Sequence, residues 1–129
     1  MTILFCIHSL YNPGGMERVL LNKVSWLLEH PERGPFRVVV ATTDQKGRPT
    51  FYPFPEGVEF VDFGVNYSDD NGKNFILKTL GYFRRRRAHR KALEALLMEL
   101  RPDVTDCFYP GECSFVPGLK DGSRKVLEL

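Results

Sequence analysis

The residues best placed for chemistry near the start of the chain are two adjacent glycines. Gly14 and Gly15 lie in "NPGGMER", between the apolar run Ile3 to Ile7 and an amphipathic stretch beginning at about Gly15. Glycine lets the backbone take positive φ and lets its N–H groups approach a ligand, at an entropic cost that a purely structural turn avoids. Where a strand hands over to a helix, such a turn exposes the unpaired N–H groups and the positive dipole end of the helix, which together can receive a phosphate. The alternative is a tight βα turn whose glycines only pack helix against strand. Glu17 falls in the first helical turn, where the dipole favours an anion. His8, at the end of the apolar run, is a candidate for substrate contact or proton transfer, against the simpler role of a strand-end histidine hydrogen-bonded to the backbone.

The commonest phosphate fingerprints are absent. A dinucleotide site needs GxGxxG, whereas "PGGMERV" supplies two neighbouring glycines followed by Glu17 and Arg18, and no GxxxxGK[ST] occurs. Asp44 occupies the place where an acid would hold a ribose in a nicotinamide enzyme, but without the fingerprint a loop-capping role is expected. Cys6, Cys107 and Cys113 form no CxxC pair, and no histidine stands at zinc-finger spacing. They are expected as packed thiols in a reducing compartment, with no metal site, because no basic neighbour in sequence would activate them.

A third feature is "RRRRAHRK", Arg84 to Lys91, with six formal positive charges and no acid. A helix advances about 100° per residue, so four consecutive arginines spread around most of its circumference and part of this helix must be exposed on nearly every side. The apolar residues change phase across the run: Ile76, Leu80 and Phe83 fall on one side and Leu93, Leu96 and Leu100 nearly opposite. A kink or break near Gly81 to Arg87 is expected to reconcile them. Arg84, Arg85, Arg86, Arg87, Arg90 and Lys91 are either a solvated helix end or membrane-facing, since each basic residue near an anionic lipid surface contributes about 1 kcal/mol. No nucleic-acid-binding motif accompanies them.

The elements that must hold these residues follow from apolar patterning. Thr2 to His8, Phe36 to Thr43 and Val58 to Phe63 read as strands; the first, with its apolar run Ile3 to Ile7, is nearly unalternating, as in a parallel sheet buried on both faces. Val19, Leu20, Val24, Leu27 and Leu28 recur near helical spacing, giving a helix from Gly15 to His30 stopped by Pro31. A long helical stretch ends at Pro102, and "DVTDCFY" and "RKVLEL" supply two further strands. Right-handed crossovers then give an α/β, Rossmann-like open parallel sheet of order 3-2-1-4-5 with flanking helices, although the link from strand 2 to strand 3 carries no clear helix. The topological switch point lies between strands 1 and 4, which places a ligand beside Ser9 to Gly15 and Tyr109 to Ser114. No helix follows strand 5, so the domain is expected to be cut short there, either as part of a longer polypeptide or as a unit completed by a partner.

Composition agrees with this size of unit. The 129 residues are 43% hydrophobic, enough for one domain with a core, and the net charge of +2 is too small to argue for nucleic acid. The N-terminal apolar stretch lacks a basic flank and is only strand-length, so neither a signal peptide nor a membrane span is expected, and the chain reads as cytoplasmic.

The stretch "ILFCIHSLYNPGGMERVLLNKVSWLLE" resembles the opening of glycosyltransferases of family 4, sugar-nucleotide-dependent enzymes of the GT-B architecture, where strand 1 meets a Gly-Gly turn and a Glu-Arg-Val-Leu helix. The resemblance continues through "TTDQKGRPTFYPFPEGVEFVDFGVNYSDD" and the basic helix to "KVLEL", covering residues 1–129 as the family's N-terminal, acceptor-side domain. It implies that the Gly15 N–H meets the donor diphosphate, that Gly14 shapes the turn, and that Tyr11, Asn12 and Glu17 line the acceptor wall. It also implies a retaining, metal-independent transfer from a nucleotide-sugar to a saccharide or lipid-linked acceptor in cell-surface polysaccharide biosynthesis, at the inner face of the cytoplasmic membrane, with no cofactor. The family's donor pocket belongs to a second domain, and a histidine often found near the reacting centre would fall beyond Leu129, so this chain alone is expected to transfer no sugar. A different class shares the same switch point: a stand-alone, flavodoxin-like module binding a phosphorylated ligand or a protein partner.

Overall fold

The computed structural model describes residues 1–70, 72–108, 116–119 and 121–128. Five parallel strands, β1 (Thr2–Ile7), β2 (Arg37–Thr42), β3 (Val58–Asp62), β4 (Val104–Cys107) and β5 (Arg124–Leu127), form one sheet of order β3-β2-β1-β4-β5, the expected order. β1 is central, with Ile3 opposite Val38 on one side and Val104 on the other. Helix α1 (Gly15–Glu29) links β1 to β2, and α2 (Phe75–Leu100) links β3 to β4.

Successive strand residues point to opposite faces, so one sheet builds two cores. Ile3, Phe5 and Ile7 pack with Val38, Val40 and Phe108 beneath Leu20 and Val24 of α1. Leu4 and Cys6 pack with Val39, Ala41 and Cys107 beneath Leu93 and Leu97 of α2, joined by Val116 and Leu119. This double burial is why β1 and β2 show no polar alternation. The connection from β2 to β3 contains no helix; its Phe54 joins the core beneath α1.

α2 begins at Asn74, whose side-chain oxygen accepts from the Leu77 N–H at 2.9 Å, and ends at Arg101 in the left-handed conformation (φ 48°), just before Pro102. The break expected near Gly81 to Arg87 is absent, since the helix runs unbroken. The change of apolar phase is resolved differently. Only Gly81, His89, Leu93 and Leu97 are buried, whereas Ile76, Leu80 and Phe83 are 69%, 64% and 60% exposed. Core packing selects the face of the second half, and contact with the rest of the chain begins only at Gly81, Tyr82 and Arg85, so Phe75 to Leu80 have no face they are obliged to bury.

Candidate functional site at the carboxyl ends of the central strands

Leaving β1, the chain passes through His8 to Pro13 and enters α1 with Gly14 as N-cap. Gly14 has φ −80° and ψ 165° and offers no side chain to the helix terminus, so no side chain caps the first turn. Neither glycine of the pair takes positive φ, which removes left-handed backbone as their reason. Close approach remains. A Cβ on Gly15 would meet no atom within 4 Å, so packing does not demand glycine there. On its outer side an open hollow of about 170 Å³ is lined by Gly15, Met16, Val19, Phe108 and Glu128. Gly14 differs: a Cβ there would stand 2.1 Å from Glu17 Oε2, because the Glu17 carboxylate folds back over the turn. An anion already leans over the end of the helix that attracts one.

Tyr11 is half-buried and Asn12 exposed, on the same lip as the turn. The segment after β2 is fastened to this lip. The Leu10 N–H donates to Gln45 Oε1 at 2.8 Å, the Gln45 side-chain amide donates to the Arg48 carbonyl at 2.8 Å, and the Phe51 N–H donates to the Leu10 carbonyl at 2.8 Å. The Arg48 guanidinium lies 4.7 Å from the Tyr11 ring centroid, and that of Arg18 lies 5.8 Å from Tyr52. Arg48, Arg18 and Gln45 were not singled out from sequence. The available signal was a cation within an aromatic-rich loop, the pattern of cation–π pairing.

His8 Nε2 stands 3.6 Å from Asp44 Oδ2, and the Thr43 hydroxyl lies 3.4 Å from His8 Nδ1. The ring thus faces side chains rather than the backbone partner expected of a strand-end histidine. Asp44 is buried and does cap, although in the turn that follows the neighbouring strand β3 rather than in its own loop. It accepts from the Tyr67 and Ser68 N–H groups at 3.0 and 2.9 Å and from the Ser68 hydroxyl at 3.0 Å. Burial pushes its pKa up, but the hydrogen bonds from Ser68, Thr43 and Tyr67 and the nearby His8 outweigh it and leave the carboxyl below its ordinary value. From the same turn the Tyr67 hydroxyl lies 2.9 Å from Nδ1 of His89, a buried residue of α2. Burial lowers the His89 pKa to about 4, so this imidazole is neutral at pH 7.

On the outer side of the turn, beneath α1, Lys23 Nζ donates to Asp106 Oδ2 at 3.3 Å and to Glu128. Burial, only partly opposed by Lys23, pushes the Asp106 carboxyl up to about 6, while Lys23 holds Glu128 below its ordinary value. Asp106 Oδ1 has no hydrogen-bond partner among the described residues. Sequence reading missed this triad, whose only mark was an aspartate inside the strand "DVTDC". Among the described residues no group of three His, Cys, Asp or Glu could hold a metal ion. Cys6 is a buried, free thiol, and Cys107 is buried beside it in the neighbouring strand. Cys113, and the segment Tyr109 to Ser114 expected opposite the glycine turn, lie outside the described residues.

The basic run lies on α2. Arg84, Arg87, Arg90 and Lys91 are exposed, while Arg85 and Arg86 are half-buried. Arg85 donates to the Val65 carbonyl, and Arg90 pairs with Glu94 at 2.9 Å. No helix among the described residues is long and apolar enough to cross a membrane.

No family model and no curated protein matches this sequence. Among solved structures, the chain resembles a lipopolysaccharide outer core galactosyltransferase, WaaB, in its apo form, with TM-score 0.60 and 19% identity over 98% of this chain. The match spans 32% of that protein's chain. At this identity the likeness is one of fold: a Rossmann-like α/β unit of the kind found within a GT-B glycosyltransferase.

Proposed function

We propose that the chain is the acceptor-side, N-terminal domain of a retaining glycosyltransferase that moves a sugar from a nucleotide-sugar to a saccharide or lipid-linked acceptor in cell-surface polysaccharide synthesis. The observation carrying this reading is the uncapped start of α1 at the switch point, with open space where a Gly15 side chain would stand. The donor diphosphate seats against the Gly14–Gly15 turn. There the N–H groups and dipole of α1 stabilise the charge that develops on the departing nucleotide, which lowers the barrier to transfer. Glu17, whose carboxylate lies over Gly14, swings aside for the incoming anion and turns toward the acceptor held by Tyr11 and Asn12. The Arg48 guanidinium on the Tyr11 ring adds a positive charge to this wall, favouring an acceptor that bears a phosphate or carboxylate.

The test is a nucleotide-sugar transfer and hydrolysis screen on the full-length polypeptide, beside a Gly15→Val variant. The variant keeps the fold, because nothing crowds the new side chain, but that side chain fills the space through which the diphosphate approaches the N–H, and transfer falls by at least about a hundredfold, the usual size of effect when one charge-stabilising donor is put out of reach. Wild-type activity in the variant removes Gly15 from the phosphate site. If no nucleotide-sugar is consumed and the chain instead binds a phosphorylated small molecule by itself, the flavodoxin-like module replaces the transferase.

A further inference from the structure

The charges beneath α1 do not balance. The charged groups that face Asp106 are Lys23 of α1 and Glu128, just past β5. Lys23 pairs closely with Glu128 and stands 3.3 Å from Asp106 Oδ2, so with all three ionised the cluster keeps one negative charge. That charge falls on Asp106, which is 5% exposed and whose Oδ1 has no hydrogen-bond partner among the described residues. A buried carboxylate left short of partners is costly, and burial accordingly pushes it up to about 6.

Asp106 also lines the open hollow of about 270 Å³ beside α1. Lys23 is the other polar member of that wall; Ile3, Phe5, Trp26, Leu27 and Val104 make up the rest. Trp26 is 46% exposed although it belongs to this wall. An apolar hollow holding one under-partnered acid has the make-up of a small-molecule site, in which apolar walls supply contact area and a single polar group fixes orientation.

We infer that this hollow binds an organic ammonium, a primary amine carried on a compact aryl or alkyl body. The ammonium donates to Asp106 and cancels the leftover charge, while Lys23 stays with Glu128. The body shields the apolar wall, the exposed part of Trp26 included, from water. Charge selects this occupant. A carboxylate or phosphate would add to the excess negative charge, and a neutral apolar molecule would bury Asp106 more deeply without pairing it. Neither Gly14 nor Gly15 takes part, so this site stands or falls apart from sugar transfer.

Trp26 is the single tryptophan of the chain, so its fluorescence reports on the hollow directly. The test is a titration of the whole chain with 2-phenylethylamine at pH 7.5, followed by that fluorescence and by calorimetry. Saturable binding is expected at about 1 mM, in keeping with so small a ligand. 2-Phenylethanol, the same body with a neutral head, binds at least about tenfold more weakly, and methylamine, the head without the body, does not bind. Asp106→Asn keeps the shape of the side chain and brings the amine down to the level of the alcohol. Lys23 is held above its ordinary value and Glu128 below its own, so both keep their charge between pH 7.5 and pH 5. Over that range the wild-type affinity for the amine falls about tenfold, because only ionised Asp106 is competent, and Asp106→Asn shows no such fall. Should that variant not fold, the comparison with the alcohol and the wild-type pH profile decide by themselves. No saturable binding of the amine, equal binding of amine and alcohol, or unchanged affinity in Asp106→Asn overturns the inference. So does a fluorescence change that follows protein concentration without ligand, because the hollow would then be filled by a second copy of the chain.

Discussion

His89 shows how one buried side chain sets the response of the fold to acid. Its folded pKa, about 4, lies below the ordinary 6.5, so above pH 6.5 the ring is neutral whether the chain is folded or not. As pH falls from 6.5 to 4 the unfolded chain binds a proton that the folded chain refuses, and about 3 kcal/mol of stability is lost across that window. Asp44, held below its ordinary value, adds a further loss only at lower pH, as its carboxylate protonates. A His89→Gln variant keeps a hydrogen-bonding partner for Tyr67 but cannot titrate. Asp106, pushed up to about 6, takes up a proton in the same window and works in the opposite direction, so the readout is the change on substitution. In urea unfolding at pH 7 and pH 4.5 the variant gains stability relative to wild type on acidification, and an unchanged gap between the two would mean that His89 is not an acid-sensitive group. At this scale the sequence was legible where a residue type is rare in its setting, as with the paired glycines. It was not legible for His89 or Asp106, because their character comes from burial by elements distant in sequence.

The elements were read more fully, for a physical reason. β1 and β2 bury both faces, so their apolar runs need no alternation and can hardly be anything but internal strands. α2 was read less well, because apolar spacing shows that residues share a face but not that the face meets anything. The expected break followed from assuming that Ile76, Leu80 and Phe83 must be buried together with Leu93, Leu96 and Leu100. With Phe75 to Leu80 outside the core, the first turns of α2 depend on local interactions, chiefly the Asn74 cap. An Asn74→Ala change therefore frays the first turns: amide protection at Leu77 to Leu80 falls about fivefold, matching a cap worth about 1 kcal/mol, while the global unfolding midpoint barely moves. A full-sized drop in the global midpoint would show that this half is coupled to the core after all.

For the molecule as a whole, cover is uneven across the sheet. β1 and β2 are roofed on both faces, whereas beside α1 the side chains of Ile3, Phe5, Trp26, Leu27, Val104 and Asp106 surround an open hollow of about 270 Å³. β5 contains no fully buried residue. Native-state hydrogen exchange is expected to follow this gradient, slowest in β1 and β2 and faster in β5; equal protection across the five strands would contradict it. The fastening of the post-β2 segment onto the glycine-turn lip has a consequence of another kind. Two hydrogen bonds and a guanidinium over the Tyr11 ring tie Leu10 and Tyr11 to Gln45, Arg48 and Phe51, and a third bond, from Gln45 to Arg48, stiffens the second segment itself. Both loops are therefore preorganised as one body, their freedom surrendered at folding rather than at ligand capture, and little ordering remains to weaken binding. Under the proposed transferase function, opening and closing above this lip would fall to hinge movement between whole bodies, with the lip as the fixed jaw.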